Sequence, residues 1–308
     1  LTMSAFSAKE VKELREKTGA GMMDCKKALS ESNGDMEAAV DFLRKKGLAA
    51  AAKKASRVAA EGLIGAAVEG NVGVLVEINC ETDFVAKNAD FQAFVKDVSN
   101  HLLSSNAADA EALKSEKMGS RTVQEAVQEL TLKIGEKIDV RRFAKTTLEG
   151  EGKIGSYVHG GKIGVLVPVS TDSADAVKKP EFEELVSDLC LHVAAADPKF
   201  MTADQIDEDF KAREAAVYEA QLKEQGKPEN MIPNIIKGKL NKLASEVCLM
   251  DQKFVKNPDL SISKLIKEYE GKVGSSISVK GFEKINLGAG IEKKQDNLAD
   301  EVAKLTQG

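Results

Sequence analysis

An internal duplication constrains this chain more than any other feature. Gly62-Leu63-Ile64-Gly65-Ala66-Ala67-Val68-Glu69-Gly70 returns as Gly152-Lys153-Ile154-Gly155-Ser156-Tyr157-Val158-His159-Gly160, with glycines and β-branched positions matched from 62 to 152. After a one-residue insertion, Gly73-Val74-Leu75-Val76 matches Gly164-Val165-Leu166-Val167. In the same register Phe91, Phe94, Val95 and His101 match Phe182, Leu185, Val186 and His192. Each copy alternates as a strand, turns at a glycine, runs as a buried strand and ends in an amphipathic helix. Self-similarity over about 45 residues implies two related subdomains. The expected fold class is α+β, with an antiparallel, hairpin-based sheet packed by helices in each copy. A chain of 308 residues has room for about two such domains.

The flanks are helical. Ser7-Ala8-Lys9-Glu10 has capping-box spacing, Val11 and Leu14 supply an apolar face, and Gly19-Ala20-Gly21 supplies a stop. A second helix is expected over 22–30, ended by Asn33-Gly34. A third opens at Asp35, carries Met36, Ala39, Val40 and Leu43, and is expected to stop at Gly47. Three helices of this size barely close a core, so the unit reads as a docking module. Lys45, Lys46, Lys53, Lys54 and Arg57 follow in an Ala-rich helix or linker, either as a solvated face or as a contact to an acidic partner. From Ala203, Ile206, Phe210, Val217 and Gln221 mark a long helix. Gly226-Lys227-Pro228 breaks it, and Ile235, Ile236, Leu240, Leu243 and Val247 mark its antiparallel mate, with Pro233 near that helix's start. The stretch 276–287 alternates as a strand closing the second sheet. Gly288-Ala289-Gly290 ends it before a short helix over 297–305.

The copies diverge where their second strands end. Copy one reads Asn79-Cys80-Glu81-Thr82-Asp83-Phe84-Val85-Ala86-Lys87-Asn88, and copy two reads Ser170-Thr171-Asp172-Ser173-Ala174-Asp175, without an aromatic. Phe84 and Val85 either begin a helix and tuck inward as its staple, or form a loop tip that offers a partner an aromatic anchor.

Composition narrows the function. The net charge of −5 argues against a nucleic-acid coat or an RNA-bound ribosomal protein. With no Trp, three Tyr and three His, a base-stacking surface or a histidine-rich catalytic centre is hard to build. Cys25, Cys80, Cys190 and Cys248 form no CxxC pair, so neither a disulfide framework nor a zinc site is expected, and a reducing cytoplasm fits. No apolar stretch approaches the ~18 residues of a membrane helix, and no basic segment precedes an apolar run, so no secretory signal is expected. Gly160-Gly161-Lys162 lacks the glycine spacing and the following hydroxyl of a phosphate loop, having Ser156 and Ile163 there. Gly288-Ala289-Gly290 lacks the third glycine of a dinucleotide fingerprint. His101 and His192 sit on apolar helix faces and read as core. His159 lies in a turn without a partnered nucleophile. None of this supports an enzyme.

Several long motifs resemble bacterial elongation factor Ts. They are Lys12-Glu13-Leu14-Arg15, Thr18-Gly19-Ala20-Gly21-Met22-Met23-Asp24-Cys25-Lys26-Lys27-Ala28-Leu29, and Asn79-Cys80-Glu81-Thr82-Asp83-Phe84-Val85-Ala86-Lys87. Gly155-Ser156-Tyr157-Val158-His159-Gly160, Gly164-Val165-Leu166-Val167 and Gly288-Ala289-Gly290-Ile291-Glu292-Lys293 agree, and the similarity runs from Ser4 to the C-terminus. The resemblance implies a guanine-nucleotide exchange factor for the GTPase elongation factor Tu, cytoplasmic, without catalytic chemistry, cofactor, metal, membrane or direct nucleic-acid contact of its own. It implies a ubiquitin-associated-like helical module with its linker at 3–58 and a first core subdomain at 59–150. A second core subdomain follows at 151–287, with a coiled-coil hairpin at about 203–251, and a C-terminal helical module at 288–308. By carry-over, Thr82, Asp83, Phe84, Val85, Ala86 and Lys87 enter the GTPase domain of Tu. Asp83 and Phe84 act there as a wedge that disturbs the magnesium site and loosens the phosphates. Met22, Met23, Asp24, Lys26 and Lys27 dock on the same domain, and His159 faces Tu from the second subdomain. The C-terminal helix is a further contact, and the hairpin is the candidate dimerisation surface of the complex.

Overall fold

The computed structural model describes residues 6–292. The expected helix over 297–305 lies outside the described residues. Three helices open the fold: α1 (Ala8–Thr18), α2 (Met22–Glu31) and α3 (Met36–Lys54). Ser7 and Glu10 form the reciprocal capping box, and Gly19 at φ 66° ends α1. Leu14, Cys25, Ala28, Leu29, Ala39 and Leu43 close a small core. Gly47 does not stop α3. It is a buried contact point where an added Cβ would stand 3.4 Å from the Gln128 carbonyl oxygen. One interior glycine costs about 1 kcal/mol relative to alanine, and the following Leu48-Ala49-Ala50-Ala51-Ala52 carries the helix on.

Copy one comprises β1 (Glu61–Glu69), β2 (Val72–Cys80), the single turn α4 (Asp83–Ala86), α5 (Ala89–Ser104), α6 (Ala110–Ser115), β3 (Lys117–Met118), β4 (Arg121–Thr122), α7 (Val123–Ile134) and β5 (Asp139–Thr147). Its sheet is antiparallel in the order β1-β2-β5. Copy two repeats the plan with β6 (Gly152–His159), β7 (Ile163–Thr171), the single turn α8 (Ala174–Val177) and α9 (Pro180–Ala196). The hairpin α10 (Glu208–Glu224) and α11 (Ile232–Val247) comes next, then β8 (Lys253–Phe254), β9 (Asn257–Ser261), α12 (Ile262–Val273), β10 (Ile277–Val279) and β11 (Glu283–Asn286). The expected single strand over 276–287 is thus two. Both pair antiparallel with β7, at its opposite ends, and Gly281 at φ 153° lies in the break. The duplication extends beyond what side-chain identity reveals, since α7 followed by β5 corresponds to α12 followed by β10. The helical hairpin stands where copy one has α6.

Central strands β2 and β7 carry apolar runs over 72–76 and 163–169 because both faces are covered. Val74, Val76, Ile78 and Cys80 face α5 and α7, and Val165, Val167 and Val169 face α9 and α12. The opposite faces of the two sheets meet at Ile64, Leu75, Leu148, Ile154, Leu166 and Ile285. Glycines at matched positions allow these approaches. A Cβ on Gly65 would stand 2.3 Å from Ser99 Oγ, and one on Gly155 2.5 Å from Cys190 Sγ, so each lets a helix lie directly on its strand. Gly73 and Gly164 do the same between the sheets: their added Cβ atoms would meet Ile154 at 2.8 Å and Ile64 at 2.4 Å.

The hairpin starts later and turns a different face inward than the heptad spacing implies. Asp207 caps α10 by accepting from the Phe210 amide at 2.6 Å, which leaves Ile206 in the extended lead-in. Tyr218 and Leu222 are buried, whereas Val217 and Gln221 are exposed. Pro233 sits in the first turn of α11.

Candidate partner-binding site

The turn at 82–87 is built from its base outward. Thr82 caps α4, its hydroxyl accepting from the Val85 amide at 3.4 Å while donating to Glu136 Oε1 at 2.7 Å. Glu136 Oε2 accepts from the Glu81 and Thr82 amides at 3.1 and 3.0 Å. The buried Cys80 thiol donates to the Thr82 carbonyl at 3.1 Å. Burial, followed by the Glu136 charge, pushes that thiol up to about 12, which removes it as a nucleophile at neutral pH. Val85 and Ala86 are buried in the core of copy one, and Asn88 caps α5 through the Asp90 and Phe91 amides.

On this anchored turn the Phe84 side chain is left outside, 78% exposed. Of the two readings of Phe84-Val85, Val85 is the inward residue and Phe84 the projecting one. Lys87 donates to Asp83 Oδ2 at 2.8 Å, and its Nζ stands 5.7 Å from the Phe84 ring centroid. That hydrogen bond is the main reason the Asp83 carboxyl titrates below its ordinary value, with a smaller contribution from the charge of Lys162. Lys162 belongs to the β6–β7 turn, where the Gly161 carbonyl accepts from the Ile64 amide at 2.8 Å. His159 opens the same turn, exposed, with Nδ1 2.8 Å from Tyr157 Oη. The fold therefore brings the His159 turn to the side of the molecule that carries Asp83.

Copy two supplies an internal comparison. Its turn α8 is capped by Ser173 and anchored by the buried Ala176, the counterparts of Thr82 and Val85. Asp175 occupies the place of Phe84 and pairs with Lys178 at 3.1 Å. The same turn thus folds with a carboxylate in place of the ring, so the ring is not there to hold the turn together.

The helical module presents a second apolar surface. Met22 and Met23 are 57% and 74% exposed, Lys26 and Lys27 are exposed beside them, and Asp24 pairs with Lys46. Here α2 packs on α1 and α3, and α3 carries the module onto α7, with Arg44 paired to Glu125. Of the basic run at 45–57, Lys45 and Lys53 lie in α3 and are exposed, whereas Arg57, beyond the helix, reaches Glu81 at 3.2 Å.

The two histidines expected in the core lie at different depths. His192 is fully buried, its Nε2 3.0 Å from Gln252 Oε1 and its Nδ1 accepting from the Val255 amide at 3.3 Å. His101 makes a half-buried pair with Glu116 at 2.9 Å. Among the described residues no group of three or more His, Cys, Asp or Glu is placed to hold a metal ion, and no helix is long and apolar enough to cross a membrane. A cavity of about 710 Å³ between α3, α6, α7 and β5 has its Lys114 ammonium already paired with Glu111 and Asp139, each at 2.8 Å.

The family model described as elongation factor TS matches residues 81–289, from the base of this turn to the loop after β11. Elongation factor Ts of Clostridium perfringens strain SM101 is 48% identical over 304 residues, covering 97% of this chain and 99% of its own. That of Trichlorobacter lovleyi is 48% identical over 97% and 98% of the two chains, and that of Clostridioides difficile strain 630 is 47% identical over 98% and 99%. The chain belongs to the elongation factor Ts family. A member of the elongation factor Ts family acts in translation elongation, and its mixed helix-and-strand architecture is the one described above.

Sequence reasoning did not find Glu136 and Lys137 at the base of the turn, because they lie more than fifty positions further along the chain. The signal available was Gly135-Glu136-Lys137, a charged pair between a helix-ending glycine at φ 88° and the next strand. Glu81 carries more than its place in the motif suggested. It accepts from the Lys137 amide at 2.6 Å as well as from Arg57.

Proposed function

We propose that this chain is a cytoplasmic guanine-nucleotide exchange factor for elongation factor Tu, without catalytic chemistry of its own. In this reading it binds Tu in the GDP-bound and nucleotide-free states. It inserts Asp83 and Phe84 between helices of the GTPase domain, disturbs the magnesium site there and promotes GDP release so that GTP can bind. The observation that carries the reading is the outward Phe84 on a turn fixed at its base, against Asp175 on the otherwise matching turn of copy two. An apolar ring held in water on a rigid support gains free energy when a partner covers it.

Magnitudes explain why more than the turn takes part. Speeding release about a thousandfold lowers its barrier by about 4 kcal/mol, whereas burying one phenylalanine contributes roughly 1.5–3 kcal/mol, part of which opens the Tu pocket. Met22, Met23, Asp24, Lys26 and Lys27 on the helical module, His159 on the second subdomain and the segment 288–308 supply the rest. By linkage, a protein that binds empty Tu more tightly than GDP-bound Tu lowers Tu's affinity for GDP by that same ratio. The hairpin, with Ile232, Pro233, Ile236 and Leu240 lining a groove between its helices, is where the complex would dimerise.

The test is release of fluorescent GDP from Tu in excess unlabelled GDP as this protein is titrated in. A release rate climbing with its concentration is expected. An unchanged rate, with binding demonstrated separately, would leave a docking protein that does not exchange nucleotide.

A further inference from the structure

We propose that Glu136, at the corner between α7 and β5, is the positioning residue of the 82–87 turn. The proposal rests on the wedge reading above. One carboxylate accepts from the Glu81 amide, the Thr82 amide and the Thr82 hydroxyl, and hydrogen bonds to an ionised acceptor are stronger than neutral ones. Because the hydroxyl is committed as donor to Glu136, its lone pair faces the Val85 amide. Glu136 therefore sets the direction of the cap that begins α4, and with it the outward aim of Phe84 two residues on.

The next residue extends the grip to the helical module. The Lys137 amide donates to Glu81 Oε1 at 2.6 Å, and its ammonium donates to the Ala55 and Arg57 carbonyls at 2.7 and 3.0 Å. Arg57 closes the ring onto Glu81. The turn is thus tied to the linker that leaves α3, which keeps Phe84 in a set orientation relative to the Met22-Met23 surface.

Copy two shows that the fold does not require this corner. Its counterpart reads Gly274-Ser275-Ser276 after α12. There the Thr171 hydroxyl donates to Ser275 Oγ at 2.9 Å and Ser276 bonds Asp172, while the cap residue Ser173 accepts from the Ala176 amide. The copy with the projecting ring has the carboxylate clamp, and the copy with Asp175 has two serines.

Glu136→Ser, which copies the sister corner, separates positioning from folding. Stimulated GDP release from Tu is measured to saturation for the parent, Glu136→Ser, Glu136→Gln, Phe84→Ala and the Phe84→Ala/Glu136→Ser double variant, with thermal unfolding of each. The saturating rate of Glu136→Ser is expected to fall about tenfold, with the half-saturating concentration within about twofold of the parent. Glu136→Gln keeps an oxygen for the two amides but sets an NH2, a donor, against the Thr82 hydroxyl, so it is expected to recover only part of the rate. In the Phe84→Ala background Glu136→Ser is expected to change nothing further, since its effect runs through the ring. Phe84→Ala slowing release while Glu136→Ser matches the parent would overturn the clamp alone. An equal loss from Glu136→Ser with and without the ring would do the same. Phe84→Ala matching the parent would overturn the wedge reading and the clamp with it.

Discussion

Replacing Phe84 with alanine removes a side chain that is 78% exposed, so in the free protein it removes almost no packing. Surface substitutions of this kind change stability by within about 0.5 kcal/mol, and Asp175 in the matching turn of copy two shows that the backbone needs no ring there. The loss should therefore fall on the complex. Covering a phenylalanine contributes roughly 1.5–3 kcal/mol. If that burial is realised at the transition state for nucleotide release, its removal slows stimulated release by about 10- to 150-fold. The affinity for Tu should change less, because on the proposed reading the helical module and the second subdomain would still dock. The assay is stopped-flow release of a fluorescent GDP analogue at saturating exchange factor, with affinity measured separately on nucleotide-free Tu and thermal unfolding as the control. Release within about twofold of the parent, at unchanged stability and affinity, would refute the assignment of Phe84.

Three further expectations concern the scaffold. Gly65→Val forces a side chain into atoms 2.3 and 2.7 Å from its Cβ, on Ser99 and Val95, and should cost about 1–3 kcal/mol by overpacking, read as a lower urea midpoint. Glu77 is fully buried and accepts from Arg141, Arg142, Asn79 and the Gly288 amide at 2.6–3.1 Å. Glu77→Ala should destabilise by about 2–4 kcal/mol and release the 288 loop, seen as faster amide exchange at Gly288. Burial comes first among the influences on Glu77 and raises its carboxyl, but these hydrogen bonds together hold it below its ordinary value. The stability they contribute is present above the ordinary glutamate range and is lost as pH falls through the lowered folded value. For His192, burial holds the imidazole below its ordinary value, against the Gln252 hydrogen bond. The unfolded chain then takes up the proton first, and this contribution is lost as pH falls from about 6.5 toward the lowered folded value. A ring titration followed by NMR should show the neutral Nε2–H form persisting below pH ~6.5, and a midpoint at or above the ordinary value would contradict it.

Much of the scaffold was legible because its signals are local. The Ser7 and Glu10 box, the Gly19 stop, and the strand, turn, strand and helix order of both copies follow from spacing within a few residues. Gly65 and Gly155 were visible as a repeat, and the structure supplied their reason, a helix lying directly on the strand. Where one local signal was weighed against another, tertiary contacts chose. Gly47 carried a stop signal but became a contact against Gln128. Val217 matched a heptad, but α10 begins only after its Asp207 cap and turns Tyr218 and Leu222 inward instead. The strand expected over 276–287 had the right alternation but not the break at Gly281.

The candidate site divides the same way. By itself the sequence determined that the chain carries two copies of one α+β unit, that copy one alone places an aromatic at the end of its second strand, and that its long motifs belong to elongation factor Ts. Whether Phe84 points in or out was not decided there, because Phe84 and Val85 are adjacent apolar residues and either can serve as the buried anchor. Only the tertiary structure decided it. The core of copy one has room for Val85, and a carboxylate from a corner more than fifty residues away holds Thr82 so that the next turn begins in one direction. That choice rests on a contact between distant segments, which local periodicity does not encode.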